Sequence, residues 1–377
     1  MPRLFHCIIP PYVFDSIATN GSPAQQAAAQ ASLAVSAELR EERAAAPSAS
    51  VPPEAAPAAK QRVVFSAGNG TALPGTAVRR EGDAPSGDAA VDEAYEGSGD
   101  TYDLFDQIYG RSSIDGANMR LDSTVHYQVG YDNAFWNGRQ MVYGDGDENL
   151  PEPDRLFNRF TKSLDVIGHE LTHGVTQFTA NLEYVGQSGA MNESFSDVFG
   201  SLVVQRKLNQ TAAESSWVIG GDLFTSNVAG VGLRSMRAPG TAYDDPVIGK
   251  DPQPAHMDDY VNTTQDNGGV HINSGIPNHA FYRVAAELAG FAWDVAGMIW
   301  YRTLTDGRLR STASFQQAAE LTFVVAGELH GTGSGPQTAV VNGWRAVGID
   351  PVPSTPEPQP QGCSPIGTQI ARLRARR

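Results

Sequence analysis

Cysteine is almost missing from this chain: 377 residues carry two, Cys7 and Cys363, one near each end. That excludes a disulfide framework, so the fold must stand on its apolar core or on bound metal. Long apolar runs are missing too, and nothing approaches the roughly 18 uninterrupted apolar residues of a membrane-spanning helix. The N-terminus, MPRLFHCIIPPYVFDSIA, breaks its short apolar stretch at Pro10-Pro11, which makes a poor signal-peptide core. The expectation is secretion without a recognisable signal peptide, with a cytoplasmic location as the alternative. Positive charge is scarce: 27 Lys and Arg against 42 Asp and Glu leave a net charge of −15. That argues against nucleic acid and anionic membrane as partners.

Proline and glycine are plentiful, 24 and 39 residues, too many for an all-helical bundle. Residues 1–20 are apolar and aromatic, and residues 22–46, rich in Ala, Gln and Glu, read as helical. The stretch 46–59, APSASVPPEAAPAA, has nothing to bury and reads as a linker. From Val63 to about residue 150, Gly, Asp and Asn turns separate short runs such as STVHYQVGY and RQMVYG, a strand-and-turn pattern. Near Asp154 the period becomes helical, and helical runs recur at 193–206, 277–290, 292–304 and 314–328. After Asp350 the chain turns Pro-rich and ends IARLRARR, a basic tail expected to be disordered. The expected division is 1–60, a segment ending in the linker; 61–180, a β-rich lobe; 181–350, a helical lobe; and 351–377, the tail. The fold class is α+β, with a cleft between the lobes as the natural place for a site.

Residues 166–175 read V-I-G-H-E-L-T-H-G-V. On a helix, positions i and i+4 share a face, so His169 and His173 can present two imidazoles to one metal ion. Glu170 projects about 100° round the axis and can stand beside that ion as a general base. The pattern alone leaves open two histidines that simply pack on a helix. A catalytic zinc also needs a third protein ligand and an open fourth position. Downstream, in GAMNESFSDVFGSLV, Glu193 and Asp197 stand one turn apart. Glu193 would complete a His₂Glu set, and Asp197 could accept from the distal nitrogen of a ligand histidine.

His169-Glu170-x-x-His173, followed at 24 residues by Glu193 in N-E-x-x-S-D, resembles the thermolysin-like (M4) metallopeptidases. So do Asn133-Ala134-Phe135-Trp136-Asn137-Gly138, MVYGDGD at 141–147 and GGVHINSGIPNHAFY at 268–282. The resemblance runs from about Val63 to Asp350. It implies a two-lobed fold, a central zinc-binding helix and a neutral endopeptidase acting on peptides and proteins as a monomer. It also implies that Glu170 moves the proton and that His271, oriented by Asp266, and Tyr184 donate to the oxyanion. Arg234 would bind a substrate carbonyl, while Asn133 and the backbone of Ala134 would hold the substrate as an added strand. Phe157, Phe160, Val166, Ile219 and Leu233 fall where the family lines an apolar pocket, which implies cleavage before bulky hydrophobic residues. Independently, the Gly268-Gly269 turn gives the backbone freedom to place His271.

The sequence departs from the family at the double calcium site. Asp165 matches one expected position, but the others read Val204, Ser216, Val218 and Gly221, which cannot assemble an oxygen cage. The site is therefore expected to be absent. Asp145 and Asp147 lack the rest of a calcium loop and read as a turn. RLFHCIIPPYVFDSIA is similar to the short propeptide of the protealysin-like members, which implies a zymogen. Ile9, Pro10, Pro11 and Tyr12, within a stretch running to Phe14, are expected to cover the active site until the linker is cut. For Cys7 a packed or exposed thiol is favoured over a fourth zinc ligand. Two other functions compete: an inert interaction protein, and a zinc aminopeptidase, for which no acidic anchor appears near Asn133.

Overall fold

The computed structural model describes residues 6–45 and 59–353. The linker up to residue 58 and the tail from residue 354 lie outside the described residues. In chain order, β1 (His6–Cys7) leads into α1 (Pro11–Asn20) and α2 (Pro23–Ala45). Pro at the first helical position of α1 and α2 suits both starts, because its missing N–H would have had no partner there. Then follow β2 (Arg62–Ser66), β3 (Thr76–Arg80), α3 (Ala89–Tyr109), β4 (Leu121–Val125), β5 (Ala134–Trp136) and β6 (Met141–Tyr143). The strands form a six-stranded sheet in the order β1-β5-β6-β4-β2-β3. β2, β4 and β6 run parallel, while β5 and then β1 extend one side antiparallel and β3 closes the other side antiparallel.

The helical half begins at α4 (Leu164–Gln177), followed by α5 (Gly186–Leu208) and the short pair β7 (Val218–Ile219) and β8 (Arg234–Ser235). Beyond them come α6 (Asp266–Asn273), α7 (Gly275–Leu288), α8 (Val295–Leu304), α9 (Phe315–His330) and α10 (Gly335–Arg345). Every residue of α4 from Asp165 to Thr176 is buried, so this helix has no solvent face and forms the centre of the molecule. It meets α5 backbone to backbone. A Cβ on Gly200 would stand 2.5 Å from the Asp165 carbonyl oxygen, and one on Gly168 would stand 3.0 Å from the Gly200 Cα. Only glycine allows this approach, which brings side chains of the two helices within reach of one ion.

The α+β class, with strands in the first half and helices in the second, is the architecture expected from the sequence. One element differs: α3, of 21 residues, lies where strands and turns were expected. Its Gly97-Ser98-Gly99 centre carries two glycines, poor helix formers. The cause is packing, since a Cβ on Gly97 would meet Ile167 Cδ1 at 2.5 Å and one on Gly99 would meet Arg62 at 2.2 Å. Asp88 caps the helix by accepting from the amides of Ala90 and Val91, and Gly110 ends it with φ +67°.

The N-terminal segment spans both halves. Val13, Phe14 and Ile17 of α1 are buried, and Ser16 Oγ donates to the Val247 carbonyl at 2.8 Å. Ser22 Oγ donates to Asp154 Oδ1, and the Asp132 amide donates to Ser32 Oγ. The Asp145 and Asp147 pair lies at a 3-10 turn, as expected. Asp147 Oδ2 accepts the amides of Leu156 and Phe157, while Asp145 pairs with His126.

His126 Nδ1 is 2.8 Å from Asp145 Oδ2, and its Nε2 is 2.9 Å from Asp88 Oδ2, the α3 cap. Hydrogen bonding to Asp145 outweighs burial and, with Asp88, lifts the His126 pKa from 6.5 to about 9. A raised folded-state pKa stabilises fully below the ordinary value and is lost as pH rises through about 9. His126→Ala is therefore expected to cost on the order of 1 kcal/mol at pH 6, after allowing for solvent screening. That cost should shrink toward nothing near pH 10, read as the difference in urea midpoints at the two pH values.

Candidate active site

α4 carries His169, Glu170 and His173 to one buried point, each at most 1% exposed. The two imidazoles approach with Nε2 atoms 3.0 Å apart. Glu193, one helix later, places Oε2 at 3.5 Å from His169 Nε2 and Oε1 at 3.4 Å from His173 Nε2. Glu193 Oε2 is buried and meets no hydrogen-bond donor among the described residues. A wholly buried carboxylate facing two imidazole nitrogens, one oxygen to each, fits a cation between them, and the His₂Glu donor set suits zinc. His169, Glu170 and His173 also offer ligand atoms within 4.8 Å of one another. Glu170 meanwhile accepts the Trp136 amide at Oε2, 3.0 Å away.

The outer nitrogens of both imidazoles are held. His169 Nδ1 is 2.8 Å from Asp197 Oδ1, the partner expected from the sequence. His173 Nδ1 is 2.9 Å from Asn192 Oδ1 and 3.0 Å from Ser196 Oγ. Asn192 and Ser196 were not singled out in the sequence, yet they stand one turn apart, one residue before Glu193 and Asp197. The N-E-x-x-S-D string therefore contains both pairs.

Asp197 does more than orient a histidine. Its carboxylate also receives Arg234 Nε at 2.9 Å and Nη2 at 2.8 Å, and Asn278 Nδ2 at 2.8 Å. Burial alone would raise its pKa, but the Arg234 charge and the His169 hydrogen bond hold it well below the usual carboxylate range. Arg234 is aimed from β8, whose pairing sets it opposite Ile219 of β7.

α6 opens with left-handed backbone at Asn267, Gly268 and Gly269, with φ of +51°, +84° and +75°. This turn brings His271 back over Asp266, whose Oδ1 lies 2.6 Å from His271 Nδ1. Burial works against charge on this ring, but Asp266 and Glu193 hold its pKa up at about 9, so both nitrogens donate at neutral pH. Tyr184 hydroxyl bonds Glu193 Oε1 and lies 3.1 Å from His271 Nε2. Gln253, also unsuspected, donates from Nε2 to the His271 carbonyl at 2.7 Å and steadies α6.

The expected substrate-binding residues are brought together on the N-terminal segment. β1 pairs antiparallel with β5, with Cys7 opposite Phe135. The Ile8 amide donates to the Ala134 carbonyl at 3.3 Å, and the Ile9 amide to Asn133 Oδ1 at 3.0 Å. Arg234 Nη1 donates to the Ile8 carbonyl at 3.3 Å. Tyr12 is packed against the main core, to which Phe157, Phe160, Val166, Ile219 and Leu233 also belong. The contact with His271 comes earlier than the Ile9–Phe14 stretch expected to cover the site, at the Cys7 carbonyl, 3.0 Å from Nε2. The Cys7 thiol packs with Tyr127, Tyr131, Phe135 and Val142 and donates to the Ile9 carbonyl at 3.6 Å, which agrees with the favoured packed thiol.

The family model described as thermolysin metallopeptidase, catalytic domain, matches residues 58–177, and that for the alpha-helical domain matches residues 180–349. The chain belongs to the thermolysin-like M4 metallopeptidases. It is 47% identical over 346 residues to an extracellular metalloprotease of Pectobacterium carotovorum subsp. carotovorum, covering 91% of this chain and 96% of that one. Protease PrtS of Photorhabdus sp. strain Az29 is 51% identical over 290 residues, 76% of each chain. Among solved structures, the precursor of protealysin, a metalloproteinase from Serratia proteamaculans, superposes with a TM-score of 0.81 at 47% identity. The match covers 91% of this chain and 99% of that one. The chain is accordingly a zinc-dependent endopeptidase of the protealysin-like group. No described helix is long and apolar enough to cross a membrane.

Asp197→Ala is expected to act twice. Zinc affinity, measured by competition with a chelator, should fall about 10- to 100-fold as His169 loses its anchor. Stability to urea should fall by about 3–5 kcal/mol, because Arg234 would be left buried without its counter-charge.

Proposed function

We propose that His169, His173 and Glu193 hold one zinc ion, with Asp197 behind the first of them, and that the residues around it form the hydrolytic machinery. The reading is carried by the Glu193 carboxylate, whose Oε2 lies 3.5 Å from His169 Nε2 with no hydrogen-bond donor and whose Oε1 lies 3.4 Å from His173 Nε2. Bound there, zinc would supply a Lewis acid for the peptide carbonyl and for the attacking water. Glu170, its carboxylate steadied by the Trp136 amide, takes the proton from that water and delivers it to the leaving amine. His271, oriented by Asp266, and Tyr184 donate to the carbonyl oxygen as it gains charge. Losing one such donor typically costs about 10²–10³ in rate. Asn133 and the Ala134 backbone hold the substrate as an added strand on β5, and Arg234 holds the next carbonyl.

Phe157, Phe160, Val166, Ile219 and Leu233 line the pocket for the residue that follows the cut, so bulky hydrophobic residues are preferred there. Peptides with Asp or Gly at that place should be the poorer substrates; the reverse order in a peptide library overturns the pocket assignment.

Residues 1–60 form a propeptide and linker, 61–180 and 181–350 the two lobes, and 351–377 a Pro-rich, basic tail. The propeptide, through Ile9, Pro10, Pro11 and Tyr12, covers the site and makes the chain a zymogen that works as a monomer after processing. Secretion is consistent with the name of the extracellular relative. The double calcium site is absent. Asp165, which would belong to it, is engaged by the Ser163 hydroxyl and by the amides of Val166 and Gly220. Depleting calcium while zinc is supplied should leave the thermal midpoint unchanged, and a drop of several degrees would restore the site.

Glu170→Ala should lower casein hydrolysis by about 10²–10⁴ and keep the first roughly 60 residues attached, read by intact mass against wild type. Equal processing in both proteins would mean that another protease matures the chain.

A further inference from the structure

Three consecutive peptide units of the N-terminal segment meet the groups assigned to substrate. The Cys7 carbonyl lies 3.0 Å from His271 Nε2. The Ile8 amide meets the Ala134 carbonyl at 3.3 Å, and the Ile8 carbonyl accepts from Arg234 Nη1 at 3.3 Å. Ile9 satisfies both ends of the Asn133 amide, its N–H to Oδ1 at 3.0 Å and its carbonyl to Nδ2 at 3.4 Å. The strand runs antiparallel to β5. This register sets the Cys7 carbonyl where charge would develop, and it makes Ile8, wholly buried and bulky, the residue that follows the cut.

The prolines do not protect this bond. Pro10 has extended backbone, φ −67° and ψ 148°, and caps α1, which Pro11 starts. Both lie beyond the reacting carbonyl, and the Cys7–Ile8 peptide is an ordinary secondary amide between two residues that fit.

We propose that the Cys7–Ile8 bond is a processing site of this protein, hydrolysed by its own active site. The inference rests on the roles given to His271, Arg234, Asn133 and Glu170 above. Water adds its oxygen to the Cys7 carbonyl carbon, and the bond to the Ile8 nitrogen breaks. The Cys7 carboxylate and the Ile8 amine are the products, and the proton lost by the water passes through Glu170 to the amine. The cut detaches β1, whose His6–Cys7 pairing covers β5 for two residues only, while α1 stays docked through Val13, Phe14, Ile17 and Ser16. The half of the cleft before the cut therefore opens first, and the half after it is freed when the helices leave.

The test incubates the full-length chain with zinc and follows it by intact mass and N-terminal sequencing beside Glu170→Ala. A species beginning at Ile8 should accumulate from wild type and not from the variant. Ile8→Asp, which would bury a carboxylate among apolar groups, should slow this cut roughly 100-fold, whereas Ile8→Leu should retain it. Because Ile8→Asp could disturb folding of the precursor, a synthetic peptide of residues 3–14, with and without the Asp, is added to the wild-type preparation. Cleavage between Cys7 and Ile8 of the unmodified peptide alone supports the site. A preparation that degrades casein but leaves this bond intact, in both chain and peptide, overturns it while the proposed function stands. Loss of casein hydrolysis together with this cut removes both.

Discussion

The structure turns on charge kept out of water. His169, His173, Glu193 and Asp197 are all within 1% of full burial, and so is Arg234. Isolated charges of this kind would cost several kcal/mol each, so each must be answered by a partner. Asp197 is answered by Arg234, His169 and Asn278 together, with both oxygens used. Glu193 has one oxygen answered by the Tyr184 hydroxyl and the other without a donor. This asymmetry separates a carboxylate that positions from one whose donor chemistry fits a cation. It also joins the metal site to substrate binding, because the Arg234 side chain that neutralises Asp197 points Nη1 at a peptide carbonyl.

That network exists only because two helices approach at glycine. Gly168 sits one residue before the first ligand, and Gly200 sits one turn beyond Asp197. Any side chain at Gly200 would collide with the backbone of α4 at Asp165. The sheet contributes the other wall: its β5 edge supplies the Trp136 amide to Glu170 and the Ala134 carbonyl to the bound strand. Glu170, the two histidines, Glu193 and the β5 backbone are thus fixed by three rigid elements, whereas Asn133, Tyr184 and His271 are placed by the turns beside them.

How much of this could be read in the sequence follows the range of each interaction. His169 with His173, and Glu193 with Asp197, are one-turn relations within single helices and are visible as spacing. The same spacing carries Asn192 and Ser196, which were legible and overlooked. Asn278 reaches Asp197 from 81 residues away, and Gln253 reaches His271 from 18. Neither leaves a local pattern, because their partners are set by tertiary packing. The helix α3 fails for a related reason. Gly97 and Gly99 are poor helix formers chosen for close packing against Ile167 and Arg62, so local propensity argued against an element that tertiary contact enforces. The roles of His271, Tyr184 and Arg234 were drawn from the family resemblance, and the convergence of His271 and Arg234 on one peptide segment comes only with the fold.

The N-terminal segment shows how a weak contact can be made to last. A two-residue strand with a few hydrogen bonds would exchange readily with solvent, since each bond contributes only about 1 kcal/mol net. Its persistence comes from α1, which buries Val13, Phe14 and Ile17 and bonds to Val247 through Ser16, and from α2, whose Gln25 donates to the Asp154 carbonyl, both outside the reaction centre. Tethering raises the local concentration of the strand to about millimolar or above, so a modest affinity suffices to keep the cleft occupied. The same arithmetic explains why inhibition can end cleanly. Once the covalent connection is cut, the strand competes only at its bulk concentration, and the apolar contacts of α1 must hold alone. A segment built to bind in substrate register is thus both the cover of the site and, on release, one of the peptides the site is shaped to accept.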